Sequence, residues 1–186
     1  MQKIVFAAHC LLNTAAKVVL YEKEEMAAEE TLRRRFLSEA IDRGIQIIQL
    51  PCPEFTLYGA CRWGHVSNQF DNPFFRSHCR QLLTPYLLQM KEYLAHPERF
   101  RLLGVVGIDG SPSCGVDYTS VGNWYGSFGG RENLEQTLKS ARLESGNGVF
   151  MDELCRMLHE EGLAEQIAVT SLFAPEPEKC LSLLEK

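Results

Sequence analysis

The stretch Leu102-Leu103-Gly104-Val105-Val106-Gly107-Ile108 runs directly into Asp109-Gly110-Ser111-Pro112-Ser113-Cys114-Gly115. An unbroken apolar run closed by glycine, serine and proline reads as a buried strand, and the loop beyond it presents a cysteine. The same arrangement occurs twice earlier. Lys3-Ile4-Val5-Phe6-Ala7-Ala8 leads into His9-Cys10, and Ile45-Gln46-Ile47-Ile48-Gln49-Leu50 leads into Pro51-Cys52-Pro53-Glu54.

Helical patterns separate these runs. Over residues 23–43, Ala28, Leu32, Phe36 and Ala40 recur at four-residue spacing, and Gly44 supplies a stop. Asp71-Asn72-Pro73 reads as a cap with proline at the first helical position, opening a helix to about residue 94 that Pro85 should kink. Residues 53–70 and 116–130 read as irregular, 132–143 as helical, and Phe150, Leu154 and Leu158 mark a further helix. Residues 166–173 form a last strand pattern, and a terminal helix or tail follows Pro175. Strands alternating with helices predict an α/β fold: one domain over 1–186, a Rossmann-like three-layer sandwich on a mostly parallel sheet of four strands or slightly more. Right-handed crossovers bring the C-terminal strand ends to one edge, where open α/β sheets bind ligands. Cys10, Cys52 and Cys114 are therefore expected in one crevice.

Composition narrows the classes. Of 186 residues, 45% are apolar and 23% charged, the make-up of a soluble globular protein. Lys and Arg number 19 against 24 Asp and Glu, so the net charge of −5 argues against a nucleic-acid polymer as partner. No apolar stretch is long enough to span a membrane, and the run before His9 is too short for a signal peptide. The expectation is a cytoplasmic protein whose seven cysteines serve as metal ligands, catalytic groups or core rather than as disulfides.

Three thiolates at one strand edge suit a soft metal or an iron–sulfur cluster. Closely spaced CxxC pairs are absent, so the residues alone do not separate a cluster from zinc. Two further readings are a cysteine-nucleophile or persulfide enzyme using Cys114 with His9 as base, and a non-catalytic module holding zinc or iron–sulfur. The bland alternative is three small buried hydrophobes.

His9-Cys10-Leu11-Leu12-Asn13, Pro51-Cys52-Pro53-Glu54 and Ser111-Pro112-Ser113-Cys114-Gly115, in this order, resemble the signature of the thiouracil desulfidase family, with the segment 148–163 extending the likeness. The resemblance implies a 4Fe–4S cluster on Cys10, Cys52 and Cys114 with one iron lacking a protein ligand. It also implies non-redox removal of sulfur, as sulfide, from a thiocarbonyl compound such as a thiolated nucleobase, so the expected partner is a small thio-substrate. Asn13-Thr14-Ala15-Ala16-Lys17 and Phe55-Thr56-Leu57-Tyr58-Gly59 depart from the family pattern where substrate should sit. On this reading Glu54 is the general base and Ser111 orients substrate or relays a proton. Ser113 closes its loop through a hydroxyl–backbone bond or meets substrate, and His9, Arg62 and Trp124 are further substrate candidates. Trp63, His65, Tyr125 and Arg131 could stack on or hydrogen-bond a flat ring. Cys61 is the candidate fourth ligand, while Cys79, Cys155 and Cys180 are expected to be core or incidental.

Overall fold

The computed structural model describes residues 1–21 and 23–186. Its main sheet is formed by β1 (Gln2–Ala7), β2 (Gln46–Gln49), β3 (Phe100–Ile108) and a late strand over Val169–Leu172. All neighbours are parallel, in the order β2, β1, β3, late strand. The central residues Val5, Phe6, Ala7, Val105 and Val106 are wholly buried, which is why their runs are continuously apolar rather than alternating. Register steps at Leu103, because Ile4 pairs with Leu102 and Val5 with Gly104.

The intervening elements are α1 (His9–Leu12), α2 (Lys23–Asp42), α3 (Pro53–Tyr58), α4 (Ser67–Phe70) and α5 (Pro73–Ala95). After β3 come β4 (Tyr118–Val121), α6 (Leu134–Leu138), β5 (Arg142–Ser145) and α7 (Val149–Glu160). The Val169–Leu172 strand, β6, and α8 (Glu178–Leu181) complete the chain order. α2 packs against β2 and β6, burying Leu32, Phe36 and Ala40, though Ala28 at the head of that stripe is exposed. α5 lies on β3 and α7. Asn72 starts it as expected, its Oδ1 accepting the Phe74 and Phe75 amides at 3.1 and 3.0 Å ahead of Pro73. The helix continues through Pro85 to Ala95.

Residues 116–145 differ from the sequence expectation. Ser140 Oγ donates to Thr137 O at 2.6 Å and accepts the Asn123 amide at 2.9 Å, so the helical turn stops at Leu138. The chain beyond pairs antiparallel with β4, from Tyr118 with Ser145 to Val121 with Arg142. Residues 53–70, expected to be irregular, contain α3 and α4. Among the described residues, no helix is long and apolar enough to cross a membrane.

α5 and α7 are also joined by charge. The buried Glu153 carboxylate accepts Arg80 Nε at 2.7 Å, and Arg76 Nη1 bonds Asp152 at 2.6 Å. Removing Glu153 takes the buried carboxylate from two guanidinium groups, which keep Asp152 (Arg76) and Glu160 (Arg80) as partners. Glu153→Ala is expected to lower stability by about 2–3 kcal/mol, below the full cost of a buried pair because both arginines keep solvent contact. Urea denaturation measures the loss, and Glu153→Gln should lose less.

Candidate functional site

The sheet order turns at β1: β2 is added on one side, and β3 and β6 on the other. The crevice at such a switch point opens beyond the C-terminal ends of the two strands that flank it. Cys10 lies in α1 just past β1, Cys52 follows β2, and Cys114 follows β3. The strand order thus sets all three cysteines at one edge of the sheet: Cys10 and Cys52 are near enough to alter each other's protonation, Cys114 acts on Cys10 through charge, and Cys52 acts on Cys114.

Their protons are held unequally. The hydrogen bond to Cys52, burial and the Cys114 charge push Cys10 far above the ordinary thiol range. That same bond from Cys10 draws Cys52 down to about 7, and the Phe55 amide, 3.3 Å from Cys52 Sγ, acts in the same direction against burial. Burial raises Cys114 above the ordinary range despite the Ser113 hydroxyl 3.6 Å from its sulfur.

The loop 111–118 that carries Cys114 is fastened from two sides. On one side, the Asp109 carboxylate has no solvent exposure. Its Oδ1 accepts the amides of Val116, Asp117 and Tyr118 at 2.8, 3.0 and 3.2 Å, while Oδ2 accepts Ser171 Oγ at 2.7 Å. Lys179 stands 3.6 Å from Oδ2. On the other side, the first turn of α7 uses the loop as its cap. Val149 donates to Pro112 O at 3.1 Å, and Phe150 and Met151 to Ser113 O at 2.9 and 3.2 Å, so amides without intrahelical partners are satisfied. This contact demands glycine at two places. A Cβ on Gly107 would lie 2.4 Å from Cys114 O, and one on Gly148 would lie 2.5 Å from Ser113 C.

Glu54 sits in the first turn of α3 and is 7% exposed. Ser113 Oγ donates to its Oε1 at 2.6 Å and Arg62 Nε to its Oε2 at 3.2 Å. The Arg62 guanidinium is nearly enclosed and also donates to Ala16 O at 2.6 Å, tying the loop after β1 to the loop after β2. The expected division of labour between the serines is reversed. Ser111 Oγ accepts the Cys114 amide at 3.0 Å and so closes the loop, whereas Ser113 is aimed at Glu54. The reason is steric and local, because the loop backbone turns the Ser113 carbonyl toward α7 and its side chain toward α3.

Other candidates fall elsewhere. His9 contributes its carbonyl, which accepts Gln49 Nε2 at 2.9 Å. His65 is stacked between Tyr58 and Phe70, 5.0 and 4.9 Å from their ring centroids, and burial lowers its pKa. Its Nδ1 has no hydrogen-bond partner among the described residues. Trp124 bonds Thr137 O at 2.8 Å and, with Tyr125 and Arg131, lines a separate cleft of about 560 Å³. Trp63 is exposed and meets Phe128 edge-on at 6.1 Å. Cys61 is exposed, Cys79 and Cys180 are buried, and Cys155 is half-buried beside Asn147. Sequence reasoning missed Asp109 and Lys17, whose cation opposes the rise of Cys10. An acid directly after a strand and before a Gly-Ser-Pro turn was the available signal for Asp109.

Among the described residues, no group of three or more His, Cys, Asp or Glu side chains is arranged to hold a metal ion. In an iron–sulfur cluster each thiolate meets its own iron, so three soft donors on neighbouring loops suit that group without converging on one point.

Fold and site together define an α/β protein with an all-parallel main sheet and three cysteines just beyond its strand ends. The chain is 30% identical over 115 residues to the uncharacterized protein MJ0003 of Methanocaldococcus jannaschii, a match spanning 62% of this chain and 69% of the archaeal one. It belongs to the same family as that protein. No family model and no solved structure matches it.

If Asp109 holds the Cys114 loop, Asp109→Ala strands three buried amides and should cost about 3 kcal/mol or more. Asp109→Asn keeps an Oδ1 acceptor for them and should recover most of that loss. Thermal unfolding of both variants checks the order.

Proposed function

We propose that this chain is a non-redox desulfidase in which Cys10, Cys52 and Cys114 hold a 4Fe–4S cluster and a thiocarbonyl compound is converted to the carbonyl with release of sulfide. The observation that supports this reading is three cysteines just beyond neighbouring strand ends, beside a buried, doubly anchored Glu54 whose charge acts on Cys52 and Cys114. When bound, the cluster supplies an iron without a protein ligand, a Lewis acid toward the substrate sulfur.

The chain's own residues would then serve a hydration. The overall change adds water across C=S and expels hydrogen sulfide, so no electron donor is required. Glu54 is the group placed to take a proton from the attacking water, its carboxylate plane fixed by Arg62 on one oxygen and Ser113 on the other. Ser113 has one hydroxyl proton and three acceptors in reach, Glu54 at 2.6 Å, Ser111 Oγ at 3.4 Å and Cys114 at 3.6 Å. The nearer carboxylate holds it at rest, and a small rotation hands a donor to the sulfur side of the crevice. Arg62 is itself fixed by bonds to Ala16 O and Gly59 O, which holds its guanidinium against Glu54. The Cys114-nucleophile reading has less support, because that thiol is deeply buried, its proton is firmly held, and its hydrogen-bond partner is a serine rather than His9.

Anaerobic reconstitution with iron and sulfide, followed by sulfide-release assays on thiolated nucleobases and thioamides, tests the proposal. The expected product is a brown protein with about four irons per chain, and Cys10→Ser, Cys52→Ser and Cys114→Ser should each lose the colour. Glu54→Gln should keep its iron and lose about 10²–10⁴-fold in turnover. Stoichiometric zinc with no iron uptake would overturn the assignment.

A further inference from the structure

Cys10 and Cys52 occupy matched positions. Ala7 and Gln49 are registered partners on adjacent parallel strands, and each cysteine lies three residues beyond its member of that pair. Neighbouring strands run about 4.8 Å apart, and a disulfide joins Cα atoms up to about 7 Å apart. Beyond the last registered pair the two segments remain sewn together. The Leu50 amide donates to Ala7 O at 2.8 Å and Gln49 Nε2 to His9 O at 2.9 Å. The two thiols are near enough to shift each other's protonation in opposite directions. Cys114 is held differently: its amide is fixed by Ser111 Oγ, its sulfur faces Ser113 Oγ, and it reaches the other two only through charge.

We infer that Cys10 and Cys52 form a reversible disulfide when the crevice is empty of metal, leaving Cys114 as a free thiol. The regulatory meaning of that bond rests on reading these cysteines as cluster ligands. The oxidant is a peroxide, small enough to enter the crevice. Hydrogen peroxide converts one thiolate to a sulfenic acid with departure of hydroxide. The neighbouring thiol then attacks that sulfur, forming the S–S bond and expelling water. The sum is two thiols and one peroxide giving one disulfide and two waters. Two of the three ligand positions are thereby closed, and both sulfurs are kept from irreversible sulfinic oxidation until a dithiol reductant reopens them.

The test uses the metal-free chain treated with stoichiometric hydrogen peroxide, then denatured, alkylated and mapped by peptide mass spectrometry. The expected result is a Cys10–Cys52 cross-linked peptide lighter by two hydrogens, with Cys114 alkylated, and reversal by dithiothreitol. Cys10→Ser and Cys52→Ser should each abolish the cross-link, with far-UV circular dichroism confirming that the variants fold. A cross-link containing Cys114, or sulfinic acids at Cys10 and Cys52 with no link, overturns the inference. Iron uptake gives a second readout: the oxidised chain should take up none until reduced. Equal uptake by oxidised and reduced chains removes the regulatory role. A cross-link in a chain that binds no iron even when reduced upholds the disulfide and sinks the cluster reading instead.

Discussion

The structure turns on one buried carboxylate. Asp109 follows the longest strand directly, has no solvent contact through its side chain, and accepts three backbone amides and one hydroxyl. A charge placed there unpaired would be very costly, and its burial is tolerated because donors surround both oxygens, with Lys179 beyond them. The amides come from residues 116–118, just past the Cys114 loop, and the hydroxyl from Ser171 on β6. One side chain therefore fixes where the loop returns, and it ties the loop to the far strand of the sheet. Lys179 spans Asp109, Asp117 and Glu176, and lies 4.8 Å from the centroid of Tyr118, so the C-terminal helix α8 is drawn into the same fixture.

Around that fixture the crevice has an uneven electrical character. Cys52 shares a hydrogen bond and gains an amide, while Cys114 is enclosed and Cys10 keeps its proton to serve its neighbour. Glu54 is held between a cation and a hydroxyl, in contact with two of the three loops through Arg62 and Ser113. Such a carboxylate has little freedom of orientation. A group expected to meet a small molecule at one distance and angle gains from that constraint. The stack of Tyr58, His65, Phe70 and Phe75 carries the constraint into α5, since the Phe70 and Phe75 rings stack 4.3 Å apart and nearly parallel.

Much of this was legible in the amino-acid sequence. Three apolar runs ending in a cysteine stand out because a parallel strand buried on both faces admits no polar interruption, and topology then brings the strand ends together. The bonds of Glu54 to Arg62 and Ser113 span 8 and 59 positions, and only the folded loops bring those partners together. Which of Ser111 and Ser113 closes the loop depends on how the backbone presents each side chain, and two serines two positions apart carry no signal of that choice. The strands β4 and β5 are only four residues each, β5 exposed throughout and β4 mostly half-buried, so hydrophobic periodicity had little to report. Asp109 escaped notice as an anchor because its partners return seven to nine residues later, a closure that only the folded loop reveals.

The capping of α7 by the Cys114 loop has a consequence for lifetime. The carbonyls of Pro112 and Ser113 take up the first amides of that helix. Fraying of the first helical turn therefore removes one of the two fastenings of the cysteine loop and leaves Asp109 as the other, so the loop's opening is coupled to that of the helix. Any group grasped by the Cys114 sulfur would be held less firmly once that turn unwinds. The persistence of such a group would then be set by the resistance of α7 to opening as much as by the strength of the bond to sulfur.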